Sequence, residues 1–120
     1  MATILYVEDN DDNVYMLSGR LELSGHTVIT AEDGTSGVEQ AKIHLPDMII
    51  MDLILPGIDG WEATRRIKAC PETRDIPILA LSSNASTEDR VLSLEAGCTD
   101  FDTKPVDYNR LLRKIKACLS

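Results

Sequence analysis

The sequence lacks the features of membrane, secreted and disulfide-bonded proteins. No apolar run approaches the roughly 18 residues of a membrane span, and residues 1–7 lack the basic start and long apolar stretch of a secretory signal. The three cysteines, Cys70, Cys98 and Cys118, are odd in number and widely spaced, so they form neither a closed disulfide framework nor a paired Cys-x-x-Cys metal site. We therefore expect a cytoplasmic protein with reduced thiols.

Positive charge is also scarce in this sequence. The chain has 12 Lys and Arg against 20 Asp and Glu, and the resulting net charge of −8 repels nucleic acid and anionic lipid. We expect neither a direct nucleic-acid partner nor a membrane partner. The length of 120 residues, with 43% hydrophobic and 27% charged residues, is typical of one soluble globular domain.

Short apolar runs alternate with helical patterns along the chain. The central runs have no polar alternation, which is expected of strands that are covered on both faces. Five runs predict strands: Ile4 to Val7, Thr27 to Thr30, Met48 to Met51, Ile76 to Leu81 and Cys98 to Thr103. Helices fill the gaps, with start or stop signals at Gly25, Pro46, Pro71, Ser86 or Thr87, Gly97 and Asp107. Their apolar stripes are Val14, Leu17 and Leu21; Val38, Ala41 and Leu45; Ala63 and Ile67; Val91 and Leu94; and Leu111, Ile115 and Leu119.

Strict alternation of strand and helix predicts an α/β fold. Right-handed crossovers then give a doubly wound, five-stranded parallel sheet in the flavodoxin-like order 2-1-3-4-5, with helices on both faces in three layers. The last predicted helix runs almost to Ser120. We therefore expect residues 1–120 to form a single domain with no output domain.

Polar side chains follow the predicted strands at the carboxyl edge, where open α/β sheets bind ligands. Glu8 and Asp9 follow the first strand, Asp52 the third, Ser82 the fourth and Lys104 the fifth. Neighbouring strands lie about 4.8 Å apart, so these side chains should meet. Several carboxylates in one crevice repel one another, and a single lysine does not balance them. Oxygen ligands of this kind suit magnesium.

A structural interpretation of the same residues remains open at this point. Glu8 and Asp9 could form a solvated loop that caps the first helix. Asp52 could be a turn residue before Pro56 and Gly57, although a carboxylate directly after an apolar strand is costly without a partner.

Four motifs at the predicted strand ends together resemble the receiver domain of bacterial two-component response regulators. They are Val7-Glu8-Asp9-Asn10, the stretch 51–60, Ala80-Leu81-Ser82 and Lys104-Pro105, and the resemblance covers essentially the whole chain. It implies that Asp52 is the nucleophile that takes a phosphoryl group from a phosphohistidine on a histidine kinase or histidine phosphotransferase. It also implies magnesium held by Asp9, Asp52 and the backbone carbonyl of Ile54, with Glu8 acting mostly through bound water.

The resemblance further implies how the phosphoryl group is bound and sensed. Lys104 pairs with it, and the Ser82 hydroxyl and the Ser83 backbone N–H bind its remaining oxygens. Ser82 moves toward the phosphoryl group, Phe101 turns into the space beneath, and the surface of helix 4, strand 5 and helix 5 changes shape for a downstream protein partner. Phe101 could instead be an ordinary core aromatic. A cis Lys104–Pro105 bond is also expected.

Such a chain is a phosphoacceptor signalling protein that assists its own phosphorylation, and not a turnover enzyme. A magnesium-dependent phosphohydrolase of the aspartate-nucleophile class would need a second acid at the position of Ile54. A flavin or nucleotide module would need a phosphate cradle where residues 8–12 are acidic. Two alternatives stay open: a phosphorylation-independent adaptor of the same fold, and a receiver fragment of a hybrid histidine kinase. Sequence does not distinguish output by partner binding from relay to a phosphotransferase.

Overall fold

The computed structural model describes residues 1–84 and 86–120, and within them five strands alternate with five helices. The strands are β1 (Thr3–Val7), β2 (Thr27–Ala31), β3 (Met48–Asp52), β4 (Ile78–Ser82) and β5 (Asp100–Thr103). The helices are α1 (Asp11–Leu23), α2 (Gly34–His44), α3 (Gly60–Ala69), α4 (Thr87–Ala96) and α5 (Tyr108–Leu119). Every strand pair is parallel and the order is β2-β1-β3-β4-β5, which confirms the predicted doubly wound sheet.

The sheet separates two apolar cores. Successive strand residues point to opposite faces, so in β1 Leu5 and Val7 pack with α2 and α3, while Ile4 and Tyr6 pack with α1 and α5. All residues of β3 and β4 are buried, which explains why their sequences lack polar alternation. Each fully buried aliphatic side chain contributes roughly 1.5–3 kcal/mol relative to an exposed one. Packing of the buried side chains therefore holds the strands in place, and with them the residues at the carboxyl ends of the strands.

Each helix begins at a polar residue whose side chain accepts a backbone N–H of the first turn. These capping residues are Asn10, Asp33, Asp59, Ser86 and Asp107. Gly25 and Gly97 follow α1 and α4 with φ values of 91° and 112°, as expected for glycines that stop helices.

The fourth and fifth strands begin two residues later than the sequence predicts. The Ile76 N–H donates to the Thr73 carbonyl in a turn, so it is not free for the sheet. The Cys98 N–H likewise donates to the Ser93 carbonyl where α4 ends. Local turn and cap bonds therefore outcompete the sheet at both places.

Two predicted apolar stripes differ from the structure. Leu45 lies after α2 in the left-handed conformation and is exposed. On α4, Val91 and Leu94 are exposed, and the helix buries Ser93 and Ala96 instead. The face of α4 that is turned toward the protein interior thus carries small side chains, and a stripe of large apolar residues does not mark it.

A hydrogen bond ties α4 to its neighbour α3. The Trp61 indole Nε1 donates to the Ser93 Oγ at 2.9 Å, and the Ser93 hydroxyl donates to the Asp89 carbonyl at 2.8 Å. Trp61 also packs against the core on this side of the sheet. The polar ends of both side chains are thus satisfied at the contact between the two helices.

The cysteines are unpaired, as the sequence predicts. All three thiols are free, and burial raises the pKa of the Cys98 and Cys118 thiols. Among the described residues, none of the helices has the length and apolar content that crossing a membrane requires.

Candidate functional site

The carboxyl ends of the strands bring the predicted site residues to one edge of the sheet. Glu8 directly follows β1, Asp52 ends β3, Ser82 ends β4 and Lys104 directly follows β5. The parallel register aligns these strand ends. The convergence predicted from the sequence is therefore confirmed for the acids and the lysine by direct contacts.

Gly60 allows the start of α3 to approach the end of β3. Its N–H donates to the Leu53 carbonyl at 2.9 Å, and a Cβ at this position would lie 2.3 Å from the Asp52 carbonyl oxygen. No side chain fits at that distance, so glycine is required for this backbone approach. The Leu53 N–H in turn donates to the Leu81 carbonyl at 3.1 Å. The backbone around Asp52 is thus held from both sides.

Lys104 joins the two buried acids. Its Nζ lies 2.8 Å from Glu8 Oε1 and 3.2 Å from Asp52 Oδ2. Its backbone N–H donates to the Ser82 carbonyl at 2.7 Å, and the Lys104–Pro105 bond is cis, as the resemblance implied. Contacts with other site residues therefore hold both the backbone and the side chain of Lys104 in place.

Glu8 has more partners than the sequence indicates. Besides Lys104, the Tyr6 hydroxyl donates to Glu8 Oε1 at 3.1 Å and the Asn13 Nδ2 donates to the same oxygen at 3.3 Å. Neither Tyr6 nor Asn13 is among the site residues predicted from the sequence motifs. A tyrosine in an otherwise apolar buried strand was the available signal, because a buried phenol needs a hydrogen-bond partner.

The pKa values of the site residues reflect the presence of two buried acids, Glu8 and Asp52, around one lysine. Burial raises the pKa of Asp52 to about 7, and the adjacent Glu8 adds to the rise while Lys104 opposes it. Burial also works against ionised Glu8, but contacts with Asp52 and Lys104 outweigh it and lower the pKa of Glu8. The two acids outweigh the burial of Lys104 and raise its pKa. Glu8 and Lys104 therefore form an ion pair, and Asp52 is the acid left without full compensation.

Three carboxylates form a cluster that fits a metal ion. Oxygens of Glu8, Asp9 and Asp52 lie within 4.8 Å of one another, and exposed Asp9 opens the cluster to solvent. An all-oxygen donor set with an open side suits magnesium, which keeps several of its waters. The Ile54 N–H donates to Asp52 Oδ1 at 3.4 Å, and the Ile54 carbonyl as a metal ligand stays a prediction.

The two serines at the end of β4 differ in exposure. The Ser82 side chain is buried and its hydroxyl bonds to residues of the loop and of α4, whereas Ser83 is exposed. Phe101 is buried in the core on the α2 and α3 side. The roles of these three residues in phosphate binding and switching stay predictions.

The sequence is similar to known proteins over essentially its whole length. Protein PilH of Pseudomonas aeruginosa is 39% identical over 120 residues, which is 100% of this chain and 99% of that protein. The response regulator PleD of Caulobacter vibrioides is 37% identical over 116 residues, which is 97% of this chain and 26% of PleD. The chain thus spans almost all of PilH but about a quarter of PleD.

A solved receiver domain has the same fold and nearly the same extent. The receiver domain of a sensor histidine kinase from Pseudomonas aeruginosa has a TM-score of 0.92 and 37% identity, covering 98% of this chain and 97% of that one. That structure was determined with a magnesium ion coordinated in its active-site cleft. The response regulator receiver domain family itself matches residues 4–116 of the chain. Fold, strand-end acids and lysine all agree with this match, and the chain belongs to the family of response regulator receiver domains.

Proposed function

We propose that Asp52 accepts a phosphoryl group from a phosphohistidine of a sensor histidine kinase or a histidine phosphotransferase. An Asp52 carboxylate oxygen bonds to phosphorus, while the bond from phosphorus to the imidazole nitrogen breaks and that nitrogen keeps the electron pair. The contact that carries the proposal is the 3.2 Å approach of Lys104 Nζ to buried Asp52, beside an acidic cluster open to solvent. Family membership supports it, because receiver domains are generally phosphorylated by histidine kinases.

The same acidic cluster is proposed to hold magnesium. Asp9, Asp52 and the Ile54 carbonyl would be direct ligands, and Glu8 would act through bound water. When bound, the ion offsets the charge of the carboxylates and of the incoming phosphoryl oxygens. The magnesium in the Pseudomonas receiver domain supports this assignment. Glu8 has a second role in this chain, because its 2.8 Å bond to Lys104 Nζ orients the lysine beside Asp52.

The phosphoryl oxygens that do not contact the metal ion are proposed to bind a lysine and hydrogen-bond donors at the ends of β4 and β5. Lys104 supplies a positive charge within reach of any group attached to Asp52, and the Ser82 hydroxyl and the Ser83 backbone N–H supply hydrogen bonds. These groups stabilise the phosphoryl group while it is attached to Asp52. The chain is therefore a phosphoacceptor that assists its own phosphorylation, and not a turnover enzyme.

The output is proposed to pass through the surface of α4, β5 and α5, or by relay of the phosphoryl group to a histidine phosphotransferase. Phosphorylation adds about −1.5 to −2 charge at one point, which draws the Ser82 hydroxyl toward it and moves Phe101 and α4 in response. Exposed Val91, Leu92 and Leu94 on α4 support a protein-binding role for this surface.

Intact mass spectrometry tests the proposed phosphorylation. The protein is incubated with acetyl phosphate, with and without magnesium, alongside Asp52→Asn and the control Asp12→Asn, which removes an exposed acid of α1. We expect one phosphoryl adduct on wild type and on Asp12→Asn, only with magnesium, and none on Asp52→Asn. An adduct on Asp52→Asn would assign another acceptor. No adduct on folded wild type would favour the phosphorylation-independent adaptor.

A further inference from the structure

The Ser82 hydroxyl is already fully engaged on the side of α4. Its Oγ accepts the Asn84 N–H at 3.0 Å, and two acceptors lie within reach of its hydrogen: the Asn84 carbonyl at 3.0 Å and Asp89 Oδ2 at 3.1 Å. A hydroxyl has one hydrogen, so only one acceptor can receive it at a time. The phosphoryl group proposed on Asp52 would be a third competitor for that hydrogen.

Asp89 is held in place independently of Ser82. It lies in the first turn of α4, where its N–H donates to the capping Ser86 Oγ at 3.1 Å. Its carbonyl accepts the Ser93 hydroxyl at 2.8 Å. The start of the helix also favours a negative side chain there. The backbone of Asp89 is therefore held at the start of α4, and its carboxylate lies within hydrogen-bond distance of Ser82. A hydrogen bond to a charged acceptor is stronger than one to a neutral carbonyl.

We propose that Asp89 is a positioning residue for phosphoryl transfer that retains the Ser82 hydroxyl on α4 until a phosphoryl group competes for it. The inference rests on the proposed function, in which Ser82 donates to a phosphoryl oxygen. A phosphoryl group carries about twice the charge of a carboxylate and several acceptor oxygens, so it is the stronger competitor once present. Before that, the bond to Asp89 keeps Ser82 from assisting the transfer.

The hydrogen bond between Ser82 and Asp89 also connects the site to α4. When Ser82 leaves Asp89, the first turn of α4 loses its side-chain bond to the end of β4. The bonds from Asp89 to Ser86 and Ser93 lie within the α4 region and need not change. The Ser82 hydroxyl and the Asp89 carboxylate thus form a hydrogen bond between the end of β4 and the start of α4, and its acceptor lies outside the groups proposed to bind the phosphoryl group.

Rates of phosphorylation by acetyl phosphate with magnesium test the role of Asp89. Asp89→Ala removes the charged acceptor and leaves the Asn84 carbonyl as the weaker one. We expect the initial rate of adduct formation to rise about three- to tenfold, which corresponds to a net difference of about one ordinary hydrogen bond. Asp89→Asn keeps a neutral acceptor of the same shape and should give a smaller rise. Glu88→Ala removes an exposed acid from the same helical turn and should stay within about twofold of wild type.

A double-mutant cycle with Ser82→Ala separates a positioning effect from a general charge effect. We expect Ser82→Ala to slow phosphorylation. In that background Asp89→Ala should change the rate no further, because the hydroxyl that Asp89 retains is gone. An unchanged rate in Asp89→Ala and Asp89→Asn would overturn the inference while adduct formation upholds the proposed function. An equal acceleration with and without the Ser82 hydroxyl would overturn it too. Absence of any adduct on wild type would overturn the proposed function, and the inference with it.

Discussion

Asp52 on β3 and Asp102 on β5 are both buried carboxylates, with 5% and 3% exposure, yet their electrostatic surroundings are opposite. Asp102 lies 2.8 Å from Arg110 Nε and 3.9 Å from Lys114 Nζ, so one acid faces two cations of α5. Asp52 shares a single lysine with Glu8. The first arrangement neutralises a charge and fastens α5 to β5, whereas the second leaves negative charge uncompensated. An uncompensated buried acid costs stability and indicates a site kept for binding or chemistry.

Removal of the Asp102 charge should produce the largest change in stability. Asp102→Asn removes the nearest carboxylate of Arg110 and one of the two carboxylates near Lys114, and we expect the free energy of unfolding to fall by about 2 kcal/mol. Urea denaturation at pH 7 measures this change. Asp100→Asn is the matched control. Half-buried Asp100 pairs with Lys114 at 3.9 Å, and its Oδ1 accepts the Phe101 N–H at 2.8 Å, a bond that the amide oxygen of asparagine can also accept. Loss of the Asp100 charge should therefore cost about 0.5 kcal/mol or less. Equal losses would contradict the special role of Asp102.

Removal of the Asp52 charge should have the opposite sign. The pKa of Asp52 is about 7 in the folded protein against 3.8 ordinarily, so folding favours its protonated form and stability falls as the pH rises through this window. Without magnesium, Asp52→Asn should therefore stabilise the protein by about 1–2 kcal/mol at pH 8 and by much less at pH 5. Urea denaturation with a chelator at both pH values measures the difference. A stabilisation that does not depend on pH would be inconsistent with an ionised Asp52 as its cause.

Magnesium should produce the smallest change, and only at the acidic cluster. At a concentration of about five times its dissociation constant, a bound ion adds about 1 kcal/mol to the free energy of unfolding. Asp9→Asn should reduce this gain, because Asp9 belongs to the cluster. Asp102→Asn should show the full magnesium-dependent gain relative to the same variant without magnesium, because Asp102 pairs with Arg110 and Lys114 and is not part of the acidic cluster. Thermal melts with and without magnesium compare the variants. If the gain is the same in Asp9→Asn as in wild type, the ion does not bind at this cluster.

The fold and the acids of the site could be predicted because both depend on local patterns. Apolar runs, caps and glycine stops define the alternation of strands and helices, and a parallel sheet then brings Glu8, Asp52 and Lys104 to one edge. The Tyr6 and Asn13 contacts with Glu8 could not be predicted, because they depend on the relative placement of β1 and α1 side chains. The pair of Asp102 and Arg110 was missed for a related reason.

Asp102 and Arg110 each look like surface charges in the sequence. Asp102 alternates with Phe101 in a short strand, a pattern that predicts an exposed polar face, and Arg110 lies in a basic helix. Only the packing of α5 over β5 shows that the acid is buried and paired. Burial of a charge is decided by the partner element, which a local pattern does not contain.

The bond between Trp61 and Ser93 makes the contact of α3 and α4 optically observable. Trp61 is the only tryptophan in the chain. Fluorescence excited at a wavelength that only tryptophan absorbs therefore comes from the contact between α3 and α4. Indole emission responds to hydrogen bonding at Nε1 and to the polarity around the ring. Movement of α4 relative to α3 can therefore be followed in real time in the unmodified protein, without an added label.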